Sequence, residues 1–248
     1  MFSRSLWSAL LLLVAGSLHA AEAQVAVAAN FAEPIKAIAA VLEKTTGHTL
    51  KITVGSTGRL YAQIRNGAPF DVLLAADTKT PAQLDTDGLA QPGSRFTYAT
   101  GKLVLWSADA TRVDAQGAVL KSGGFRKLAT ANPKTAPYGA ASIEVIDKLG
   151  LLAALTPKLV QGESIGQTYN FAFTGNAEIA LVAMSQVLEG GKLKSGSMWV
   201  VPQNLYAPIR QDAVLLKTGA GNPAAKALMA LLKSPDTQAL IRSFGYDI

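Results

Sequence analysis

The sequence predicts an α/β protein built from parallel sheets with helices packed on their faces. Short apolar runs typical of buried strands alternate along the chain with longer segments whose apolar residues recur at helical spacing. The chain has 248 residues, of which 49% are hydrophobic and 16% charged, so it can bury the core of one large or two smaller domains. This apolar content also argues against a disordered protein.

The composition excludes several kinds of site and partner. There is no cysteine, which rules out disulfides, thiolate metal sites and a cysteine nucleophile. The net charge is +6, from 23 Lys and Arg residues and 17 Asp and Glu residues. Because no run of five basic residues occurs, the sequence does not predict nucleic-acid binding. A weakly positive field does favour the capture of anions.

The first 23 residues have the pattern of a secretory signal peptide. Arg4 supplies a positive charge, residues 6–18 are apolar and rich in leucine, and small residues follow up to Ala23. The apolar segment is shorter than the ~20 residues that a membrane span needs. We therefore predict an exported protein from which residues 1–23 are removed, with cleavage after Ala20 as the alternative.

The first block of the remaining chain has the order strand, helix, strand, helix, strand. The predicted strands are 25–29, 50–54 and 71–76, and the predicted helices are 31–46, which Gly47 ends, and 60–66. This order is typical of a parallel sheet.

A second α/β block begins near Gly101. Its predicted strands are 103–106, 127–130, 159–160, 179–184, 199–201 and 213–216, and its predicted helices are 138–149, 165–174, 223–232 and 235–244. The glycine-rich residues 190–196 are predicted to form an exposed loop.

Two strand-to-helix junctions of the first block suit an anion. Asn30 stands at a predicted N-cap, and Glu33 completes a capping-box pattern. Ser56 and Thr57 lie in a second turn, between two glycines. The first N–H groups of a helix lack internal partners and carry the positive end of the helix dipole, so an oxyanion binds there without a full positive charge. All these residues are also ordinary N-caps, which leaves a purely structural role open.

The second block offers two further helix starts. Tyr138 follows Pro137, and its hydroxyl suits a hydrogen bond across a cleft, although a packed or a surface tyrosine stays open as the alternative. Residues 163–166 open another helix, whose free N–H groups suit the same anion.

Taken in order, these segments resemble the periplasmic molybdate-binding proteins of ABC transporters. The matching pieces, spread over residues 25–246, are VAANF (27–31), GSTG (55–58), LYAQI (60–64), NGAPFDV (66–72), AAD (75–77), PYG (137–139), GNAE (175–178) and FGY (244–246). The resemblance implies the type II periplasmic binding protein fold: two α/β lobes, each a mainly parallel sheet flanked by helices, joined by crossing hinge strands. It assigns residues 24–99 and 209–248 to lobe 1 and residues 100–208 to lobe 2.

The resemblance also implies the ligand and its donors. A tetrahedral oxyanion, molybdate or tungstate, is held between the lobes by neutral hydrogen-bond donors, and molybdenum is present only as that oxyanion, with no other cofactor. The implied ligand-binding residues are Asn30, Ser56, Thr57, Tyr138 and, through its backbone N–H, Ile165. A tyrosine that some members have just before position 185 is missing from Leu181–Ser185, which leaves the number of donors open.

Such a protein is expected to be a periplasmic monomer that delivers its ligand to a membrane permease. Two alternatives stay open. One is a binding protein for sulfate, phosphate or a small carboxylate, although only Arg59 is placed to clamp a carboxylate. The other is a secreted serine hydrolase using Ser56 or Ser185. It is disfavoured because His48 is the sole histidine after signal removal and no G-x-S-x-G motif occurs.

Overall fold

A computed structural model describes residues 20–248, so the predicted signal segment up to residue 19 lies outside the described residues. The strands are β1 (Glu22–Ala28), β2 (Thr49–Gly55), β3 (Val72–Leu74), β4 (Phe96–Gly101), β5 (Leu103–Ser107), β6 (Leu128–Ala131), β7 (Leu159–Gly162), β8 (Ile179–Ala183), β9 (Leu188–Glu189), β10 (Lys192–Leu193), β11 (Ser197–Val200) and β12 (Ile209–Leu215). The helices are α1 (Ala32–Thr46), α2 (Thr57–Arg65), α3 (Lys79–Thr86), α4 (Ala118–Ser122), α5 (Pro137–Lys148), α6 (Leu152–Leu155), α7 (Ile165–Phe173), α8 (Met184–Val187), α9 (Pro223–Leu231) and α10 (Pro235–Ser243).

The chain forms two lobes, each built on a five-stranded sheet, which confirms the predicted two-lobe α/β fold. The sheet of lobe 1 has the order β2-β1-β3-β12-β4, and that of lobe 2 has the order β11-β5-β8-β6-β7. In each sheet three neighbouring strands are parallel, as predicted, and the other two pairings are antiparallel. The antiparallel pairings involve the crossing strands, because β4 leads into β5 through one residue and β12 brings the chain back.

Helix α1 shows how the apolar spacing sets the core. Ile35, Ile38 and Leu42 lie on one face, are at most 1% exposed, and pack against the sheet of lobe 1. Gly47 ends the helix as predicted, with a φ of 73° that favours glycine, and its N–H bonds the carbonyl of Glu43.

The predicted capping box at the start of this helix is wrong. A 3-10 turn, Ala29–Phe31, precedes α1, and its N-cap Ala28 makes no side-chain cap bond. Asn30 therefore lies inside this turn and is not its N-cap. Its buried side chain bonds Gln211 and Tyr246. Glu33 is on the surface, where it pairs with Lys36 at 2.7 Å.

Several further elements differ from the prediction. Strand β4 and helices α3 and α4 were not predicted, because their sequences mix polar and apolar residues without a clear period. The predicted loop 190–196 contains strand β10, which pairs with β9 through a Gly190-Gly191 turn. Both glycines have positive φ, as a tight hairpin turn requires. Within residues 20–248, no helix is long and apolar enough to cross a membrane.

Candidate functional site

The first turns of four helices meet at a small cavity between the lobes. Lobe 1 contributes the 3-10 turn before α1 and the start of α2, and lobe 2 contributes the starts of α5 and α7. The empty space between its walls, counted together with the solvent at its mouth, is about 200 Å³. Its lining residues are Ala28, Ala29, Asn30, Gly55, Ser56, Thr57, Ala76, Ala136, Pro137, Tyr138 and Ile165. The structure thus brings the five residues proposed from the sequence to one place.

The electrostatic character of this cavity comes from dipoles. None of the described residues that line it carries a charge. Each helix start directs backbone N–H groups and the positive end of its dipole toward the space between the lobes. A buried site of this kind favours an anion that can accept many hydrogen bonds.

Ser56 presents the clearest vacant donor. It is the N-cap of α2, yet its side chain makes no cap bond, and α2 begins at Thr57, three residues earlier than predicted. The Ser56 hydroxyl is buried and has no hydrogen-bond partner among the described residues. Since buried polar groups are nearly always paired, an orphaned hydroxyl in a cavity indicates a place for a polar ligand.

The hydroxyl of Thr57, the residue after Ser56, also has a hydrogen to donate. Its hydroxyl oxygen accepts the backbone N–H of Ala76 at 3.0 Å, which ties the start of α2 to the end of β3. A hydroxyl donates one hydrogen and accepts two, so this bond leaves the Thr57 hydrogen available. The residue is 1% exposed, and that hydrogen is therefore shielded from bulk water.

The Asn30 side chain was expected to donate to an anion, but it is bonded within the protein. Its side-chain nitrogen donates to Gln211 Oε1 at 2.8 Å and to the Tyr246 hydroxyl at 2.9 Å. Its backbone oxygen accepts from Tyr246 at 2.8 Å and from Ser185 at 2.7 Å. Both amide hydrogens are thus used within the protein, and this turn offers the cavity its backbone N–H groups.

Tyr138 brings a phenol to the cavity from lobe 2. It is the second residue of α5 and is 1% exposed. Burial raises the pKa of Tyr138 well above its ordinary value, so the hydroxyl keeps its proton at neutral pH. Its oxygen accepts Gln211 Nε2 at 3.1 Å, which leaves the hydrogen to be donated elsewhere.

Ile165 is the first residue of α7. The N-cap Ser164 accepts the N–H of Gln167 at 3.3 Å, so the cap leaves the N–H of Ile165 free. The start of α7 packs closely on lobe 1, because a Cβ placed on Gly166 would lie 3.5 Å from the methyl group of Ala29.

Direct contacts at the cavity rim hold the lobes closed. The N–H of Gly58 donates to the Thr135 carbonyl at 2.9 Å, and an added Cβ at Gly58 would lie only 3.1 Å from the Thr135 Cα. Arg59 pairs with Glu163 across the lobes at 2.9 Å. The Arg59 side chain is 59% exposed, so this pair contributes little stability, and Arg59 provides no clamp inside the cavity.

The geometry does not assemble a serine hydrolase. His48 Nδ1 accepts the N–H of Ala21 at the start of lobe 1, away from both serines. Ser185 donates to the Asn30 carbonyl and does not line the cavity. The part of the chain that the structure describes also contains no group of three His, Asp or Glu residues able to hold a metal ion.

The sequence did not identify Gln211 and Tyr246, which hold Asn30 in place. Gln211 lies between the charged residues Arg210 and Asp212 in the first half of β12, and it is 0% exposed. This polar stretch gave no sign that Gln211 is buried, and Tyr246 appeared only within the FGY piece of the family resemblance, with no role assigned.

The chain is similar to known binding proteins along most of its length. The profile of the bacterial extracellular solute-binding protein family matches residues 23–247. The chain is 56% identical over 236 residues to the molybdate-binding protein of Azotobacter vinelandii, covering 95% of this chain and 94% of that protein. It is 55% identical over 241 residues to the molybdate-binding protein of Rhodobacter capsulatus, covering 96% and 94%.

A solved structure agrees with these relatives. The Azotobacter vinelandii periplasmic molybdate-binding protein superposes with a TM-score of 0.88 at 44% identity, covering 91% of this chain and 99% of that one. These relatives are binding proteins, which confirms the prediction that the chain is not an enzyme. The chain belongs to the bacterial extracellular solute-binding protein family, and the resemblance to its molybdate-binding members that the sequence motifs indicated is confirmed.

Proposed function

We propose that this chain is the substrate-binding component of a molybdate importer of the ABC transporter class, and that it captures molybdate or tungstate in the cavity between its lobes. The observation that carries the proposal is the buried Ser56 hydroxyl, which has no partner within residues 20–248 and lies in a cavity that none of those residues lines with a charge. The molybdate-binding relatives from Azotobacter vinelandii and Rhodobacter capsulatus supply the identity of the anion.

The donors come from both lobes. Lobe 1 offers the hydroxyls of Ser56 and Thr57 and the backbone of the turn at Asn30, and lobe 2 offers the Tyr138 hydroxyl and the Ile165 N–H. Neither lobe surrounds a tetrahedral anion alone. The anion therefore binds the closed form more tightly than the open form, and this difference stabilises the closed form. Molybdenum enters only as the oxyanion, and no further cofactor takes part.

The remaining parts of the proposal concern location and partners. We place residues 24–99 and 209–248 in lobe 1 and residues 100–208 in lobe 2. The protein acts as a periplasmic monomer and delivers the anion to a membrane permease. Support comes from the solved relative, the periplasmic molybdate-binding protein of Azotobacter vinelandii.

We propose that the signal is cleaved at the alternative site, after Ala20, rather than after Ala23, so that the mature protein begins at Ala21. The Ala21 carbonyl accepts the N–H of Thr49 at 2.9 Å, and its N–H donates to His48 at 3.2 Å. A cut after Ala23 would remove these bonds and the first two residues of β1. Intact-mass spectrometry of the exported protein shows at which residue the mature chain begins. A mass that corresponds to a chain starting at Gln24 would contradict cleavage after Ala20.

The proposed ligand is tested by thermal melting with sodium molybdate, tungstate, sulfate and phosphate. A ligand at a thousandfold its dissociation constant adds about 4 kcal/mol to the free energy of unfolding. For a chain of this size the melting temperature then rises by roughly 8–16 °C. We expect this rise with molybdate and tungstate. If sulfate or phosphate raises the melting temperature and molybdate does not, the molybdate assignment is wrong.

A further inference from the structure

We propose that Gln211 is a positioning residue for the bound anion, because its side-chain amide holds the Tyr138 oxygen and leaves the phenolic hydrogen to point into the cavity. Gln211 does not line the cavity and acts through Tyr138. The inference rests on the proposed function, since it concerns how the same cavity binds molybdate.

The Gln211 amide connects both lobes. It lies in β12, the strand that brings the chain back to lobe 1, and is 0% exposed. Its Oε1 accepts from Asn30 at 2.8 Å and from the Tyr98 hydroxyl at 3.1 Å, while its Nε2 donates to the Tyr138 oxygen at 3.1 Å. Asn30 Nδ2, which can only donate, faces the Gln211 oxygen, and this contact fixes the amide with its nitrogen toward Tyr138.

This orientation determines what Tyr138 does. If the Gln211 oxygen faced Tyr138, the phenol would donate to Gln211 and present only lone pairs to the cavity, which repel an anion. With the nitrogen facing it, the phenol accepts from Gln211 and keeps its single hydrogen for another acceptor. A bound oxyanion is such an acceptor, and a hydrogen bond to a charged group is stronger than one between neutral groups.

Two backbone features make room for this contact. Strand β12 has a register shift against β4 between Gln211 and Asp212, and shifts of this kind redirect side chains beside functional sites. Gly101 lies at the end of β4, where an added Cβ would overlap the Tyr138 oxygen and lie 2.6 Å from Gln211 Nε2. Glycine at this position therefore leaves the space in which the Gln211 and Tyr138 side chains meet.

The test is a double-mutant cycle on the affinity for sodium molybdate, measured by isothermal titration calorimetry. We expect Tyr138→Phe to weaken binding roughly 10- to 150-fold, the loss of one hydrogen bond to a charged group. Gln211→Met should weaken binding on the order of tenfold. The double variant should bind about as weakly as Tyr138→Phe alone, because the effect of Gln211 on the anion passes mainly through the phenolic hydroxyl, while the turn at Asn30 keeps its bonds to Tyr246.

Tyr98→Phe is the matched control. It removes another hydroxyl that bonds Gln211, but Tyr98 does not line the cavity. We expect a lower melting temperature of the free protein, with an affinity within about twofold of wild type. If Gln211 had a purely structural role, Gln211→Met and Tyr98→Phe would lose affinity for molybdate to the same extent. Equal losses would therefore overturn the proposal.

The outcomes separate the two proposals. If the wild type fails to bind molybdate, the proposed function is wrong. If the wild type binds but Gln211→Met binds equally well, or if the two single losses multiply in the double variant, the positioning role alone is overturned. Should Gln211→Met fail to fold, Gln211→Asn replaces it in the same cycle, since its shorter polar side chain cannot reach both Asn30 and Tyr138.

Discussion

Replacing Ile165 by proline is expected to weaken molybdate binding roughly 10- to 150-fold and to leave the fold intact. Proline lacks the N–H that Ile165 offers to the anion, and losing a hydrogen bond to a charged group costs about 1.5–3 kcal/mol. The helix tolerates the change, because Ile165 is the first residue of α7, where proline is favoured. Ser164 already has the extended backbone, with φ −145° and ψ 164°, that a residue before proline needs.

Ile165→Val is the control for this prediction. Valine keeps the N–H and, like proline, has a smaller side chain than isoleucine, so both variants lose some of the packing around a residue that is 3% exposed. Isothermal titration calorimetry with sodium molybdate should show near wild-type affinity for Ile165→Val and the large loss for Ile165→Pro. Equal affinities for the two variants would mean that the start of α7 does not donate to the anion.

Much of the fold was predictable because strands and helices follow local patterns. The runs that form β1, β5 and β8 are almost wholly apolar, as strands buried on both faces require. The helices α1 and α5 have regular apolar spacing. Strand β4 was missed because its sequence, FTYATG, contains two threonines and two glycine or alanine residues, and it becomes a strand only by pairing with β12 from more than a hundred residues away.

The candidate site was predictable at the level of helix starts. Glycine, serine and proline at the junctions mark where α2 and α5 begin, and the positive end of each helix follows from that. The meeting of these starts at one cavity was inferred from the family resemblance, because no local pattern encodes a contact between two lobes.

The roles of the individual side chains were beyond sequence reasoning. Asparagine is common at N-caps and can donate hydrogen bonds, but tertiary contacts of Asn30 with Gln211 and Tyr246 use both of its amide hydrogens. Ser56 also has the composition of an N-cap, and its hydroxyl is left unpaired. Two residues that are both common N-caps, at two similar junctions, thus take different roles, because partners distant in sequence decide which donors remain free.

Ser56→Ala is expected to weaken molybdate binding roughly 10- to 150-fold while the melting temperature of the free protein does not fall. An ordinary N-cap serine costs about 0.5–2 kcal/mol of stability when replaced by alanine. Here the side chain makes no cap bond, so that cost is absent. In the complex, the lost donor faces a charged ligand, which accounts for the expected loss of affinity.

Ser197→Ala provides the opposite pattern. The Ser197 hydroxyl donates to the Asp109 carbonyl at 2.6 Å and accepts the N–H of Val113 at 3.0 Å, far from the cavity lining. Its loss should lower the free energy of unfolding by about 1–3 kcal/mol and leave molybdate affinity unchanged. Calorimetric titration and melting of the free proteins measure both quantities. If Ser56→Ala lowered stability like Ser197→Ala and bound molybdate like wild type, the unpaired hydroxyl would belong to the fold, and the anion would have to be held by other groups.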